Sequence, residues 1–206
     1  MSGTLFIVSS PSGGGKTSLI RALVEHMPNL GTSLSFTTRP KRPDEIDGVH
    51  YKFISEAQFL ELRNQDEFLE WALVFGHYYG TSKSWIEQHL KQGLDLFLAI
   101  DWQGARQLRA AIKHCKSVFI LPPSLPTLEA RLLARKQDAL DVIQQRMEKA
   151  RDEITHHTEY DYVIINEDFD AATRELAAIV TATRLSVESQ MARHREVFSQ
   201  LLAKRT

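Results

Sequence analysis

The sequence predicts an α/β fold, a parallel sheet covered on both faces by helices. Three observations carry that expectation. The first run, "TLFIVSS", is short, rich in β-branched and aromatic residues and bounded by a Ser/Pro/Gly cluster, the pattern of a buried strand. The segment after it, "KTSLIRALVEHM", sets Leu19, Ile20, Leu23, Val24 and Met27 at helical spacing and stops at Pro28. The same alternation then returns: "LDLFLAI" reads as a strand, "WQGARQLRAAIKH" as a helix, "SVFIL" as a strand and "YVIIN" as the last strand, before a long segment without glycine or proline.

Composition narrows the function classes. With 206 residues, 43% hydrophobic and 25% charged, the chain is large enough to bury one substantial core. Lysine and arginine total 25 against 26 aspartates and glutamates, a formal net charge of -1, so no global field draws it to nucleic acid or to a membrane surface. Any anion site must be local. A single cysteine, Cys115, excludes an intrachain disulfide and a cysteine zinc cluster, which accords with a reducing compartment. The adjacent His156 and His157 point in different directions on a helix and make a poor metal pair. No signal-peptide pattern opens the chain, and no run approaches the roughly 20 apolar residues of a membrane span. A cytoplasmic protein is expected.

Two segments interrupt the strand–helix rhythm. From about Ser33 to Gly93 lies a mixed region of turn residues and aromatics; from about Ser124 to His157 lies a helical region carrying Arg131, Arg135, Arg146 and Arg151. The expected division is a core built from 1–32, 94–123 and 158–206, an inserted mixed α/β lobe at 33–93 and a helical lid at 124–157.

The stretch "SSPSGGGKTS" sits between the first strand and the first helix. Successive backbone N–H groups, with glycines that reach conformations closed to other residues, form a concave anion site at a helix N-terminus. In the P-loop pattern the lysine reaches the β- and γ-phosphates and the following hydroxyl residue holds magnesium. Gly15, Lys16 and Thr17 fill those closing positions, while Ser10 stands where the pattern opens with glycine. Gly13, Gly14 and Gly15 supply the freedom where the loop must turn, and the strand-before, helix-after context is met. A flexible turn that happens to precede a lysine is the alternative. The fold class sharpens to a three-layer P-loop NTPase core, with Ser12, Gly13, Gly14, Gly15, Lys16, Thr17 and Ser18 as the nucleoside-triphosphate cradle and Thr17 as the metal ligand. Motor, GTPase, ATPase and small-molecule kinase all remain open on the loop alone.

The inserted lobe holds "SFTTRPKRPDE", which concentrates Arg39, Lys41 and Arg42 in a proline-punctuated loop. Guanidinium groups clamp phosphate bidentately, although a solvated basic loop balanced by Asp44, Glu45 and Asp47 would read the same. Tyr51 in "GVHYKF" and Tyr78 and Tyr79 in "GHYYGTS" offer hydroxyl donors and ring faces beside it; a half-buried strand position is the usual fate of any one of them.

"SSPSGGGKTSL", "TTRPKRPDEIDGVHYKF", "FLEWALVFGHYYGTS", "FLAIDWQGARQLR", "FILPPS" and "YDYVIINEDFD" together resemble guanylate kinase of the bacterial type, in the family's order along nearly the whole chain. The resemblance implies a P-loop core, a lobe that binds GMP and an arginine-bearing lid that closes over ATP. It implies ATP-dependent phosphorylation of GMP to GDP with magnesium. By matching position, Ser35, Glu70, Thr81 and Asp101 are expected to contact guanine, and Arg39, Arg42, Tyr51 and Tyr79 to hold the GMP phosphate. Lys16, Arg42, Arg135 and Arg146 are the expected catalytic charges. Arg131, Arg135 and Asn166 are expected beside ATP. Charged faces of amphipathic helices are the alternative for the lid arginines. The chemistry of the base set is sensible, because guanine offers N1–H and a 2-amino group and a carboxylate is their natural acceptor. The partners implied are ATP and GMP, with dGMP and a second copy of the chain as further candidates.

The chain departs from the family in two places. The family usually reads Leu-Asp-Ile-Asp where this chain has "LAID", so Ala99 removes a carboxylate that would help organise magnesium. Asp101, on the same face if the strand continues that far, is the expected partial substitute. The lid reads "ARKQD", with Ala134 and Lys136 where glycines are common, which predicts a stiffer lid. Two rival functions follow: a non-catalytic guanylate-kinase-like module that binds a phosphorylated or acidic ligand, and a related P-loop kinase for another small phosphate such as ribose 1,5-bisphosphate.

Overall fold

A computed structural model describes residues 3–112, 115–134 and 139–203. Its first strand, β1 (Leu5–Ser9), is buried at every position. It lies at the centre of a five-stranded sheet ordered β2 (Leu30–Thr32), β7 (Asp95–Ala99), β1, β8 (Cys115–Leu121), β9 (Tyr162–Ile165), with every pairing parallel. Because side chains alternate along a strand, Phe6 and Val8 face one side and Leu5 and Ile7 the other. The first pair packs with Leu19 and Leu23 of α1 (Lys16–His26) and Leu176 and Val180 of α7 (Phe169–Arg184). The second packs with Ile86 of α3 (Lys83–Lys91) and Ala105 and Leu108 of α4 (Trp102–Ala111). Each fully buried Leu, Ile or Phe contributes roughly 1.5–3 kcal/mol, so both helical layers are held by apolar burial. The three-layer α/β core expected from the sequence is the one found.

The strand ends near the loop differ from expectation in one place. The run "LDLFLAI" stops as β7 at Ala99, and Asp101 adopts the N-cap position of α4, its Oδ1 accepting from the Gly104 N–H at 2.9 Å. A short carboxylate satisfies an otherwise unpaired helix N–H better than it extends a strand. Asp101 is therefore not on the strand face of Ala99.

A second sheet, ordered β4 (Lys52–Phe53), β3 (Ser35–Thr37), β6 (His77–Ser82), β5 (Phe68–Val74), occupies the inserted region. Phe59 of α2 (Glu56–Asn64) is fully buried and stacks on Phe68 and Tyr78 at 4.4 and 5.2 Å between ring centroids. Strands β5 and β6 join through two residues, Phe75 at φ 50° and Gly76 at φ 78°.

Helices α5 (Leu125–Ala134) and α6 (Leu140–Thr155) follow β8. A 3₁₀ turn at His156–Glu159 then leads into β9, and His156 pairs with Glu159 within it. No group of three or more His, Cys, Asp or Glu side chains is placed to hold a metal among the described residues. The glycine-free end is broken into α7, α8 (Val187–Arg193) and α9 (Arg195–Leu202); α7 packs on the core, whereas α8 and α9 bury none of their residues. No described helix is long and apolar enough to cross a membrane.

Candidate active site

The loop after β1 is shaped by its glycines. Gly13 and Gly15 take φ of 91° and 96°, a region that a side chain makes costly, and a Cβ on Gly14 would lie 2.9 Å from that of Ser10. The Gly14 N–H closes the turn onto the Pro11 carbonyl at 2.9 Å. Lys16 begins α1, and its Nζ donates to the Ile100 carbonyl at 3.0 Å, while Asp101 and Glu153 bias it toward the charged form. Burial outweighs them and pushes the ammonium pKa down. Thr17 and Ser18 follow on the exposed side of the first turn.

Two elements far along the chain hold this loop. Asn166, only 4% exposed at the end of β9, donates through Nδ2 to the Gly14 carbonyl at 2.9 Å. Arg131 of α5 donates in turn to the Asn166 carbonyl at 2.8 Å. From α6, Arg146 donates to Ser12 Oγ at 2.7 Å and Glu153 accepts from the Ser12 N–H at 3.3 Å. Ser12, Lys16, Arg131, Arg146 and Asn166 thus converge on one loop. Arg135 lies outside the described residues.

The inserted sheet presents a second cluster. Ser35 of β3 pairs with Thr81 of β6, which pairs with Glu70 of β5. The Glu70 carboxylate, 3% exposed, accepts from Thr81 Oγ1 at 2.6 Å. Its pKa is pushed up to about 7 by burial, with nearby Asp101 adding to the rise against the Thr81 hydrogen bond. A Cβ on Gly104 would collide with Glu70 Oε2 and contact Asp101 Oδ1, so the first turn of α4 carries, at its third position, the one residue that leaves these two carboxylates their space. Ser35, Glu70, Thr81 and Asp101, scattered over 67 positions from 35 to 101, form one polar floor.

Beside that floor, Arg39 and Tyr79 interact, the Tyr51 and Tyr79 rings meet edge to face at 6.0 Å, and the Arg39 guanidinium lies 5.7 Å from the Tyr51 ring. Glu45 organises the group: it accepts from Arg39 Nη2 at 2.6 Å and from the Arg42 backbone N–H at 2.8 Å. These donors hold its carboxyl below the usual range despite the opposing effect of burial. Sequence reasoning counted Glu45 only as an offset to the basic loop. The signal available was its three-residue spacing from Arg42, the reach of a carboxylate onto a turn N–H. Tyr78 goes elsewhere, stacking on Phe59 in the lobe interior. Glu153 was also missed, because nothing in "ARDEIT" separates it from the other carboxylates on an exposed helix face.

A glycine-rich loop held by arginines from two helices, beside a buried carboxylate in a tyrosine- and arginine-lined lobe, is an arrangement that known proteins share. A family model described as guanylate kinase matches residues 2–183.

The chain belongs to the guanylate kinase family.

The guanylate kinases of Photobacterium profundum and Vibrio cholerae serotype O1 are each 55% identical to it over 203 residues, covering 98% of this chain and 98% of theirs. The crystal structure of guanylate kinase from Anaplasma phagocytophilum superposes with a TM-score of 0.81 at 31% identity, over 100% of this chain and 98% of that one. In this member of the guanylate kinase family Ala99 closes β7, paired with Val8 of β1 one residue ahead of the loop. Asp101 and Glu153 are the carboxylates that remain near Lys16.

Proposed function

We infer that the chain transfers the γ-phosphoryl group of ATP to GMP, giving ADP and GDP. The observation that carries the choice of acceptor is the buried Glu70 carboxylate, fixed on one oxygen by Thr81, with the other oxygen packed against Gly104 where no side chain covers it. Guanine brings N1–H and a 2-amino group to such an acceptor, and adenine brings neither to the same edge. A site built around that hydrogen bond rejects AMP by roughly 10⁴-fold, because the carboxylate would stay buried without a partner.

Phosphoryl transfer requires alignment and charge neutralisation more than covalent help. Arg39, Arg42, Tyr51 and Tyr79 hold the GMP phosphate, with Glu45 keeping the arginines in place. Lys16 leaves the Ile100 carbonyl for the β- and γ-phosphates of ATP. Arg146, already against the loop at Ser12, stabilises the charge of the moving group, and Asn166 and Arg131 keep the loop in the shape that binds it. We assign Arg135 the same lid role. The donor set fits magnesium carried in with ATP, which would be held by the Thr17 hydroxyl and supplies charge neutralisation across the phosphates. The natural setting is the cytoplasm.

The test is ADP production from magnesium-ATP with GMP, dGMP, AMP, CMP, UMP and ribose 1,5-bisphosphate offered separately, beside a Lys16→Ala control. Turnover with the guanine nucleotides, lost in the control, is the expected result. Faster turnover with ribose 1,5-bisphosphate, or none with GMP despite its binding, would overturn the assignment.

A further inference from the structure

The turn between β5 and β6 contains a local conflict. Val74 pairs with His77, so Phe75 and Gly76 alone make the loop, and both have positive φ, the geometry of a type I′ hairpin. Gly76 adopts it freely, and nothing lies within 4 Å of where its Cβ would be, so the tip projects from the sheet. The residue that suits the first position is asparagine; a bulky aromatic at φ 50° is strained there. A conflict of this kind persists where the surroundings repay it.

What repays it lies on α6. The Arg146 guanidinium is 5.3 Å from the centroid of the Phe75 ring and the Lys149 ammonium is 4.3 Å from it. Three residues apart, these two cations share one helix face. The same face runs on to the loop: Arg146 donates to Ser12 Oγ, and Glu153 accepts from the Ser12 N–H. At its other end the hairpin carries Glu70, Tyr79 and Thr81 at the acceptor pocket. One short antiparallel ribbon therefore reaches from the acceptor pocket to the helix that touches the ATP loop.

We propose that Phe75 is a positioning residue for phosphoryl transfer: its ring, carried on the acceptor-binding hairpin, holds Arg146 and Lys149 of α6 against the P-loop, so that occupancy of the acceptor pocket and of the ATP site strengthen each other. The inference deepens the GMP kinase reading and rests on it for the identity of the acceptor. Phe75 touches neither substrate. It acts through Arg146.

Three variants separate its charge-facing ring from its bulk. Phe75→Asn suits the turn, Phe75→Leu keeps apolar volume without an aromatic face, and Phe75→Trp keeps the face. The readout is the affinity for a non-hydrolysable ATP analogue with and without saturating GMP, by calorimetry, beside kcat and KM for GMP and thermal unfolding. Wild type should bind the analogue more tightly with GMP present, a reciprocal coupling between the sites. In Phe75→Asn and Phe75→Leu that ratio should collapse toward one and kcat fall by about tenfold, the scale of partly desolvated cation–π contacts. KM for GMP should stay within about threefold of wild type, Phe75→Asn should unfold at no lower temperature, and Phe75→Trp should retain the coupling. The proposal is overturned if wild type shows no coupling, if Phe75→Leu keeps both coupling and kcat, or if Phe75→Trp fails as badly as Phe75→Leu. Absence of GMP phosphorylation by wild type would sink the reaction assignment, while the two binding ratios would still decide the role of Phe75.

Discussion

The side-chain amide of Asn166 donates to the carbonyl of Gly14 at 2.9 Å, joining residues 152 positions apart and fixing one wall of the glycine loop from the end of the sheet's last strand. The contact is buried, so its loss leaves the Gly14 carbonyl without that donor and opens space beside Gly15. Asn166→Ala should raise KM for ATP about tenfold, the effect of one buried hydrogen bond worth about 1.4 kcal/mol, and leave KM for GMP unchanged. Steady-state kinetics with each substrate varied in turn checks this; parallel loss of both affinities would mean that Asn166 serves the fold rather than the loop.

The guanine-accepting role proposed for Glu70 ties recognition to pH. Its carboxyl, pushed up from 4.5 to about 7 in the empty site, must lose its proton before it can accept the donors of guanine. KM for GMP should therefore rise as pH falls below 7, by up to about tenfold per unit, while KM for ATP changes far less. A flat KM for GMP between about pH 5.5 and 8 would refute this.

The same shift predicts a stability cost. The folded chain keeps a proton on Glu70 that the unfolded chain releases between pH 4.5 and about 7, so stability falls as pH rises through that window. The total is on the order of 3 kcal/mol. Glu70→Gln removes the charge at similar volume, and at about pH 8 it should be more stable than wild type by about 2 kcal/mol in urea unfolding while losing most GMP turnover. Equal or lower stability of the variant at that pH would contradict the origin of the shift.

Ala99 leaves the end of β7 without a carboxylate. Ala99→Asp should lower the magnesium concentration for half-maximal rate about threefold or more at fixed ATP. An unchanged magnesium titration would mean that Asp101 and Glu153, both facing Lys16, already supply the negative charge.

Asp95 and Arg184 anchor the end of α7 to the sheet. The Asp95 carboxylate, 1% exposed, accepts from the Thr4 N–H and from Arg184 Nε, each at 2.7 Å, and Arg184 also donates to the carbonyls of Pro28 and Asn29. Removing one partner of a buried pair costs about 3 kcal/mol or more, so Arg184→Ala should lower the urea midpoint strongly with little change in either KM. A loss under about 1 kcal/mol would show that solvent reaches Asp95 and replaces the arginine.

The α/β core and the glycine loop are legible in the sequence, because both are local. Strand and helix periodicity is written within about ten residues, as in Leu5–Ser9 and Lys16–His26, and the glycines of the loop answer a backbone requirement at their own positions. Resemblance of several short motifs then pointed to Glu70, Arg39 and Asn166 as candidates, and in the structure Glu70 meets Thr81, Arg39 meets Tyr79 and Asn166 meets the phosphate loop. Tertiary structure alone decided the rest. Glu45 and Glu153 look like ordinary surface carboxylates until folding sets one on Arg39 and the other on Ser12. Asp101 reads as a strand residue until the unsatisfied N–H of Gly104 makes it a helix cap. Phe75 reads as one more apolar residue before a glycine, and its meaning comes from two cations on a helix more than 70 residues away. Charge partners, burial and coupled pKa values depend on through-space distance, which periodicity and spacing do not encode.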